Sequence, residues 1–434
     1  MRALVVGYGL SGKSAKKLLK KMGYKVTVIE DDKSEKYYKL RDSLFNGLSL
    51  IVVSPGVRPD SEIILKAKEL GIKVIGEFEL GAYQIFGKTI AITGTNGKTT
   101  VTTLIHEIIK SQIKDSFVGG NIGIPVSSFA YKTTAKSLTV LEVSSFQLET
   151  IDKFKPYIAV ILNISPDHLN YHKTIKNYVD AKLRIFKNQD QEDFLILNKD
   201  DQCLMSQDFS KVKSKIYYFS TNERCKGCYE KGGNIYFFDG KKQTFIIKTS
   251  SISLIGKHNL NNALAAILSC ILSGITPENI AFSAHNFKGL EHRLEYVTKK
   301  DNVTFINDSK GTNISSTIVA MNAINEPTTL ILGGSDKGYE FDELFASMPQ
   351  SIKRIIAIGE TKYKILKASL KFKKCENYQA KTMKEAVNLA FCLTRVKGGV
   401  VLLSPACASF DMFKNYEHRG KVFVKNVKLL KFFR

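Results

Sequence analysis

The stretch Gly94-Thr95-Asn96-Gly97-Lys98-Thr99-Thr100 constrains the fold most. It stands between a β-like run, Thr89-Ile90-Ala91-Ile92-Thr93, and a run from Val101 to Lys110 with Leu104, Ile105, Ile108 and Ile109 at helical spacing. Strand, glycine turn and helix bring backbone N–H groups and a helix N-terminus to one point, where a polyphosphate can sit. Lys98 can bridge the outer phosphates, and Thr99 can place a hydroxyl on Mg²⁺. The full P-loop spacing would need glycine at position 92, which is Ile92, so this is the compact GTxGKT variant. A tight turn with a solvated lysine is the alternative; a lysine and two hydroxyls between strand and helix favour nucleotide binding.

A chain of 434 residues, 44% hydrophobic, has room for about three domains with ordinary cores. No apolar run reaches the roughly 20 residues of a membrane span; the longest, Ala263 to Ile275, is interrupted by Ser269, Ser273 and Gly274. Met1 to Gly7 runs directly into a strand and glycine turn rather than a signal peptide, so a cytoplasmic protein is expected. Of seven cysteines only Cys225 and Cys228 form a CxxC, and with no second pair or nearby histidine, reduced thiols fit better than zinc. The net charge of +23 is spread over the whole chain. Its densest run, Lys414, Lys421, Lys425, Lys428, Lys431 and Arg434, has the spacing of a solvated basic helix. Without a nucleic-acid motif or aromatic platform, the charge is assigned to lysine-rich composition and anionic substrates. The expectation is a monomer without nucleic-acid or membrane partners.

Residues 1–87 alternate strand and helix as a small doubly wound α/β domain: Ala3 to Val6, a helix from Gly12, Lys25 to Ile29, a polar helix, Leu50 to Val53, a helix from Asp60, and Ile72 to Ile75. Gly7-x-Gly9-x-x-Gly12 follows the first strand, and Glu30 ends the second. On motif alone this is a dinucleotide fingerprint, with Glu30 on a ribose. Ser54-Pro55-Gly56 ends the third strand and should face the same crevice as Gly7 to Gly12.

Residues 88–292 hold the phosphate loop. The strand Ser137 to Leu141 delivers Glu142, a Mg²⁺ ligand or else a helix-cap acid. Tyr157 to Leu162 delivers Asn163-Ile164-Ser165-Pro166-Asp167-His168. Tyr178 to Phe186 is an amphipathic helix, short strands fill Phe194 to Leu254, and Gly256-Lys257-His258-Asn259 opens an apolar helix, where Asn259 or Asn262 could be a mere cap. Residues 293–434 restart the rhythm with strands Val303 to Ile306, Thr328 to Leu332, Ile355 to Ile358 and Val400 to Leu403 and helices after Thr312 and from Met383. Polar clusters at Asn307 to Thr312, Gly333 to Gly338 and Ser404 to Ser409 predict a substrate-facing rim.

This order resembles the Mur ligase family, and within it the glutamate-adding members. The resemblance is carried by Gly94 to Thr100, Glu142 to Glu149, Asp167-His168, Ala181 to Ile185, Gly256 to Asn259, His292-Arg293, Asn307 to Lys310, Ser404 to Asp411, Phe413-Lys414 and Arg419-Gly420. It implies three α/β domains: an N-terminal Rossmann-like domain for a UDP substrate, a central P-loop ATPase-type domain, and a C-terminal Rossmann-like domain for an amino acid. The implied reaction joins D-glutamate to UDP-N-acetylmuramoyl-L-alanine with ATP, in peptidoglycan precursor synthesis. Carried over, Gly94, Thr95, Asn96, Gly97, Lys98, Thr99 and Thr100 would hold ATP, with Thr99 and Glu142 on one Mg²⁺. His168 and Lys182, the latter as a carbamate, would serve a second. Asn259, Asn262, Arg293 and Asp308 would contact the nucleotide. Leu10, Ser11, Ser54, Pro55 and Gly56 would hold the UDP, and Asn121 the muramoyl group. Lys310, Thr312, Lys337 and Ser409 would hold D-glutamate, with Tyr416 where relatives usually carry Phe. Relatives often carry Thr-Arg after the second strand's acid; here Asp31 and Asp32 follow Glu30, and two acids suit a diphosphate poorly.

The residue types suit the implied chemistry. A carboxylate acylates an amine only after activation as an acyl phosphate, and Lys98 with two metals can neutralise the charge that develops. Three substrates on three domains require closure, with the third domain swinging onto the second. Three alternatives compete: another Mur or folylpolyglutamate-type ligase; an NAD-dependent oxidoreductase, which leaves the ATP loop idle; and a nucleic-acid-stimulated ATPase, which lacks a strand-binding platform.

Overall fold

Runs such as Ala3-Leu4-Val5-Val6 and Leu330-Ile331-Leu332 are apolar at successive positions because both faces of a parallel strand are covered. The computed structural model describes residues 1–30, 44–58, 60–252, 256–287 and 289–430. Asp31, Asp32, the expected polar helix around them, Lys431, Arg434 and the side chains of Lys257 and His258 lie outside the described residues. The fold is α/β, in two compact units: Met1–Ile252 with Leu260–Phe287, and Ser253–Asn259 with Lys288–Arg434.

The first unit contains two sheets. One is parallel, in the order β2-β1-β3-β4, with β1 Arg2–Val6, β2 Lys25–Ile29, β3 Leu48–Val53 and β4 Val74–Gly76. The other has nine strands in the order β13-β12-β11-β10-β9-β8-β5-β7-β6. These are β5 Lys88–Thr93, β6 Ser116–Gly120, β7 Leu138–Glu142, β8 Ile158–Ile161, β9 Phe194–Asn198, β10 Lys215–Ser220, β11 Gly227–Lys231, β12 Asn234–Phe238 and β13 Gln243–Lys248. Pairing is parallel from β6 to β11 and antiparallel through β12 and β13. The helix Lys98–Lys110 turns Val101, Leu104, Ile105, Ile108 and Ile109 inward. The helix Lys257–Leu272 buries the consecutive residues Ala263 to Leu268, as a helix deep in a core must.

The second unit carries six strands in the order β14-β15-β19-β16-β17-β18, parallel except for β14. They are β14 Glu295–Lys300, β15 Val303–Asn307, β16 Thr328–Leu332, β17 Ile352–Ala357, β18 Glu376–Gln379 and β19 Gly399–Leu403. The expected basic helix is Tyr416–Leu429.

Several boundaries differ from the sequence reading. The helix expected from Gly12 starts at Leu10, and the one expected from Asp60 starts at Glu62. The strand expected at Ile72 to Ile75 is the three-residue β4. Strands β6, β14 and β18 and the helix Pro277–Asn286 were not anticipated. β14 and β18 are polar edge strands without a buried face to write into the sequence. The Pro277 helix did carry a signal, Thr276 as cap and proline in its first turn. Cys225 and Cys228 are buried thiols; burial pushes Cys225 up to about 12 and raises Cys228 well above the usual thiol value, which keeps both protonated. Among the described residues no helix is long and apolar enough to cross a membrane.

Gly12, in the helix Leu10–Lys21, lets that helix lie against the turn after β1, because a Cβ there would overlap the carbonyl oxygen of Gly7. Gly12→Ala should therefore destabilise the chain by about 1–3 kcal/mol. An unchanged urea midpoint for this variant would show that the turn has room to spare.

Candidate active site

Parallel pairing aligns the ends of β6, β7, β5 and β8, so every loop leaving them opens on one edge of the nine-stranded sheet. Gly94 leaves β5 with φ of 155° and Gly97 precedes the helix with φ of 84°, backbone conformations that favour glycine. A Cβ on Gly97 would also overlap Asn262 Oδ1, so the second glycine lets the loop approach the helix Lys257–Leu272. Lys98 Nζ donates to Gly94 O at 2.8 Å and Thr95 O at 2.9 Å, folding back over the loop. Thr99 and the buried Thr100 begin the same helix.

The loop is tied to the β8 end. Thr95 N donates to Asn163 O at 3.0 Å, Asn96 N to Asn163 Oδ1 at 2.8 Å, and Asn163 Nδ2 returns a bond to Asn96 O at 3.0 Å. Thr95 Oγ1 lies 3.1 Å from the Tyr178 hydroxyl. The sequence reading gave Asn163 and Tyr178 no separate role, although a polar residue directly after a buried strand was a signal for the first.

Glu142 ends β7 and is 2% exposed. Its Oε1 accepts Asn121 Nδ2 at 2.8 Å, and its Oε2 is buried without a partner. It is not a helix cap: Ser144 caps the next helix, Ser145–Glu149, with a reciprocal Gln147 bond. A buried carboxylate oxygen with no donor suits a hard cation.

Lys182 is not a surface lysine paired with an acid. It is 1% exposed on the helix Ile175–Leu183, and its Nζ donates to Gly94 O at 2.8 Å. Burial, and then the charge on Lys98, hold its amine well below the usual lysine range, against the pull of Asp167 and Glu142. His168 is half-exposed, with φ of 52° and its ring edge-on to Phe146 at 5.0 Å.

Asn259 and Asn262 both lie buried within the helix Lys257–Leu272, so neither is its N-cap. On the first sheet, Ser54 Oγ donates to Gly7 O at 3.0 Å, which joins the two glycine turns as the sequence predicts. Leu10 is exposed and opens the helix Leu10–Lys21 with Ser11, while Pro55 and Gly56 follow Ser54. A cavity of about 260 Å³ runs from Ser54 and Pro55 to Phe146 and Tyr171.

In the second unit β15, β19 and β16 end together, and their loops are stitched by backbone bonds Asp308 N to Leu403 O at 2.7 Å and Ser335 N to Ala408 O at 2.9 Å. Arg419, 0% exposed, donates to Ser309 Oγ, Ser309 O, Cys407 O and Ala408 O at 2.8–3.1 Å. It thereby joins the loop of Lys310 and Thr312 to the loop of Ser409. Burial lowers the Arg419 guanidinium to about 10, and burial raises the Asp308 carboxyl, which accepts Ser404 Oγ at 2.7 Å, to about 7. Lys310 Nζ lies 5.4 Å from the Tyr416 ring centre, Lys337 is exposed on the loop after β16, and Arg293 is half-buried beside His292. The site residues thus fall into two groups, one on each unit, with Arg419 the clamp that the motif Arg419-Gly420 had carried without a role.

Two family models match this chain: the Mur ligase middle domain over residues 92–270 and the Mur ligase, glutamate ligase domain over residues 292–407. UDP-N-acetylmuramoylalanine--D-glutamate ligase of Caldanaerobacter subterraneus is 41% identical over 447 residues, covering 98% of each chain. The same-named protein of Koribacter versatilis is 42% identical over 445 residues, covering 98% of this chain and 97% of its own. Among solved structures, UDP-N-acetylmuramate-alanine ligase from Thermotoga maritima superposes with a TM-score of 0.61 at 19% identity, covering 99% of this chain and all of its own. The MurF ligase of the same organism, in complex with ADP, gives 0.59 at 16% identity, covering 89% of this chain and 91% of its own. These two share the fold.

The state of Lys182 has a measurable consequence. A lysine whose folded pKa is depressed binds fewer protons folded than unfolded, so its contribution to stability rises with pH until the unfolded pKa near ~10.4 is reached. In bicarbonate-free buffer, Lys182→Met should remove an upward slope of about 1.4 kcal/mol per pH unit in that window. Parallel stability–pH curves for parent and variant would mean that Lys182 stays charged in the fold.

Proposed function

We infer the function from one premise: the chain belongs to the Mur ligase family. It is an ATP-dependent ligase that joins D-glutamate to UDP-N-acetylmuramoyl-L-alanine, a step of peptidoglycan precursor synthesis. The observation that carries the specific assignment is the full-length similarity to glutamate-adding relatives, at 41% identity over 98% of both chains. The two glycine turns joined by Ser54 then serve a UDP sugar rather than a dinucleotide. The three sheets correspond to three substrate domains, 1–87, 88–292 and 293–434, and the enzyme works in the cytoplasm, where ATP and the UDP sugar are.

In this reading Gly94 to Thr100 hold ATP, and Lys98 exchanges its loop carbonyls for the outer phosphates. Thr99 and Glu142 hold one Mg²⁺, a role supported by the partnerless Oε2 of Glu142. His168 and Lys182 serve a second. Bound Mg²⁺ supplies neutralisation of charge on the transferring phosphoryl group. A protonated Lys182 would repel a cation. Its depressed pKa supports the neutral amine, which adds CO₂ and releases a proton to give a carbamate anion. The muramoyl-alanine carboxylate takes the γ-phosphoryl as ADP leaves, the neutral amine of D-glutamate attacks the acyl carbon, phosphate leaves with its bonding electrons, and the nitrogen gives up a proton to solvent. Asn121 orients the muramoyl substrate. Lys310, Thr312, Lys337 and Ser409 clamp the two carboxylates of the amino acid, with Tyr416 beside them, while Asn259, Asn262, Arg293 and Asp308 bind the nucleotide. Leu10, Ser11, Ser54, Pro55 and Gly56 hold the UDP.

Incubation with ATP, UDP-N-acetylmuramoyl-L-alanine and a panel of amino acids, read by mass, should give the D-glutamate adduct alone, and Lys98→Ala should lose about 3 kcal/mol or more of transition-state stabilisation. Preference for another amino acid would redirect the assignment within the family. Near-normal turnover by folded Lys98→Ala would sink the phosphate-loop role. For Lys182→Ala we expect ATP binding with poor ligation, partly restored by acetate; full activity without bicarbonate, indifferent to acetate, would make Lys182 a purely structural lysine.

A further inference from the structure

Glu142 and His168, read as ligands of the two cations, leave different strands of the nine-stranded sheet, yet holding both cations needs them at a set separation. Two short helices link them, Ser145–Glu149 and Leu169–His172. A helix of four residues does not hold itself, because too few hydrogen bonds form to offset the ordered backbone. The second helix is also bounded by His168 and Lys173, non-glycine residues with φ of 52° and 68°. Such conformations cost energy and persist only where the surroundings over-determine them.

The holding contacts come from the helix Ser145–Glu149. Ser145 Oγ lies 2.9 Å from His172 Nε2, and Tyr171 donates its hydroxyl to Glu149 Oε2 at 2.8 Å. Glu149 Oε1 sits 3.2 Å from His172 Nδ1, off the line of a hydrogen bond. The Phe146 ring centre is 5.0 Å from that of His168, 4.5 Å from Tyr171 and 5.4 Å from His172. Serine, histidine and glutamate in a row have the composition of a hydrolytic triad, but Ser145 is 2% exposed, and a substrate carbonyl has no path to its oxygen. The gripping helix is itself pinned by the Ser144–Gln147 capping box, which begins two residues beyond Glu142.

We propose that Ser145, Phe146, Glu149 and His172 form a positioning clasp that fixes His168 relative to Glu142, so that divalent-cation affinity depends on side chains outside the cations' ligand set. This rests on reading Glu142 and His168 as cation ligands. Partners of this kind typically change metal affinity by about 10–100-fold when removed.

The double variant Ser145→Ala/His172→Leu replaces the polar pair by apolar groups, leaving no orphaned partner between them. Mn²⁺ alone is titrated into the ADP-bound full chain and the free ion read by electron paramagnetic resonance. Mn²⁺ binding should weaken about tenfold, with kcat falling and the KM for ATP staying within about twofold, which general loosening would not spare. Mn²⁺ affinity within about twofold of the parent overturns the clasp. Should the double variant fail to fold, Glu149→Gln is judged by the same Mn²⁺ criterion. His168→Ala separates the two levels: if it leaves Mn²⁺ affinity unchanged, the ligand reading fails; if it weakens binding while the clasp variant does not, only the clasp fails.

Discussion

Two lysine amines share one carbonyl oxygen: Lys98 Nζ and Lys182 Nζ each donate to Gly94 O at 2.8 Å. Two ammonium charges that close, away from bulk water, repel strongly, and the more buried group yields its proton more readily. Lys182 is that group, with the Tyr178 ring 4.6 Å from its nitrogen. The shared carbonyl belongs to Gly94, whose backbone conformation favours glycine and where a Cβ would press on Leu162. Loop geometry, lysine protonation and the electrostatics around Glu142 therefore follow from one backbone position.

Parallel sheets concentrate chemistry at their carboxyl ends, since each crossover must leave there. This chain uses the device three times. On the first sheet the edge is glycine and serine, with Ser54 bonded to Gly7. On the nine-stranded sheet it is the loop Gly94 to Thr100, Asn121, Glu142 and Asn163. On the third it is organised by Arg419, a buried cation whose donors all go to oxygens of two loops rather than to a carboxylate. A planar guanidinium can hold several carbonyls at fixed angles, which an ammonium cannot.

Charged groups in the interior are handled in two ways. Glu77 and Glu79 are buried on the short helix Glu77–Ala82 and accept backbone N–H bonds from Ser127, Lys153 and Phe154, while burial raises both carboxyls. They serve packing within the first unit, where the carboxylates answer to peptide groups. Glu142 keeps one buried oxygen without a hydrogen-bond partner, as Glu79 also does. Position, rather than burial or satisfaction, separates a structural acid from a candidate ligand here: Glu142 ends β7, the strand paired with β5 from which the loop Gly94 to Thr100 leaves, whereas Glu79 lies on the helix Glu77–Ala82.

The sequence by itself determined the α/β class, most strands with covered faces, the glycine turn between strand and helix at Gly94 to Gly97 and the polar strand ends, because apolar runs and glycine turns are local signals. Thr328 to Leu332 matches its strand residue for residue. Polar edge strands such as β18 were illegible for the same reason, having no buried face to mark them. Only the tertiary structure decided that Lys182 is buried against Gly94, that Glu142 lacks a second donor, and that Asn163 and Arg419 clamp their loops. Each of these joins residues far apart in sequence; Lys182 and Gly94 are separated by 88 positions. An amphipathic helix pattern says which face is buried, but not which carbonyl waits there, so a lysine at the margin of that face reads equally as solvated or enclosed until the neighbouring strand is in place.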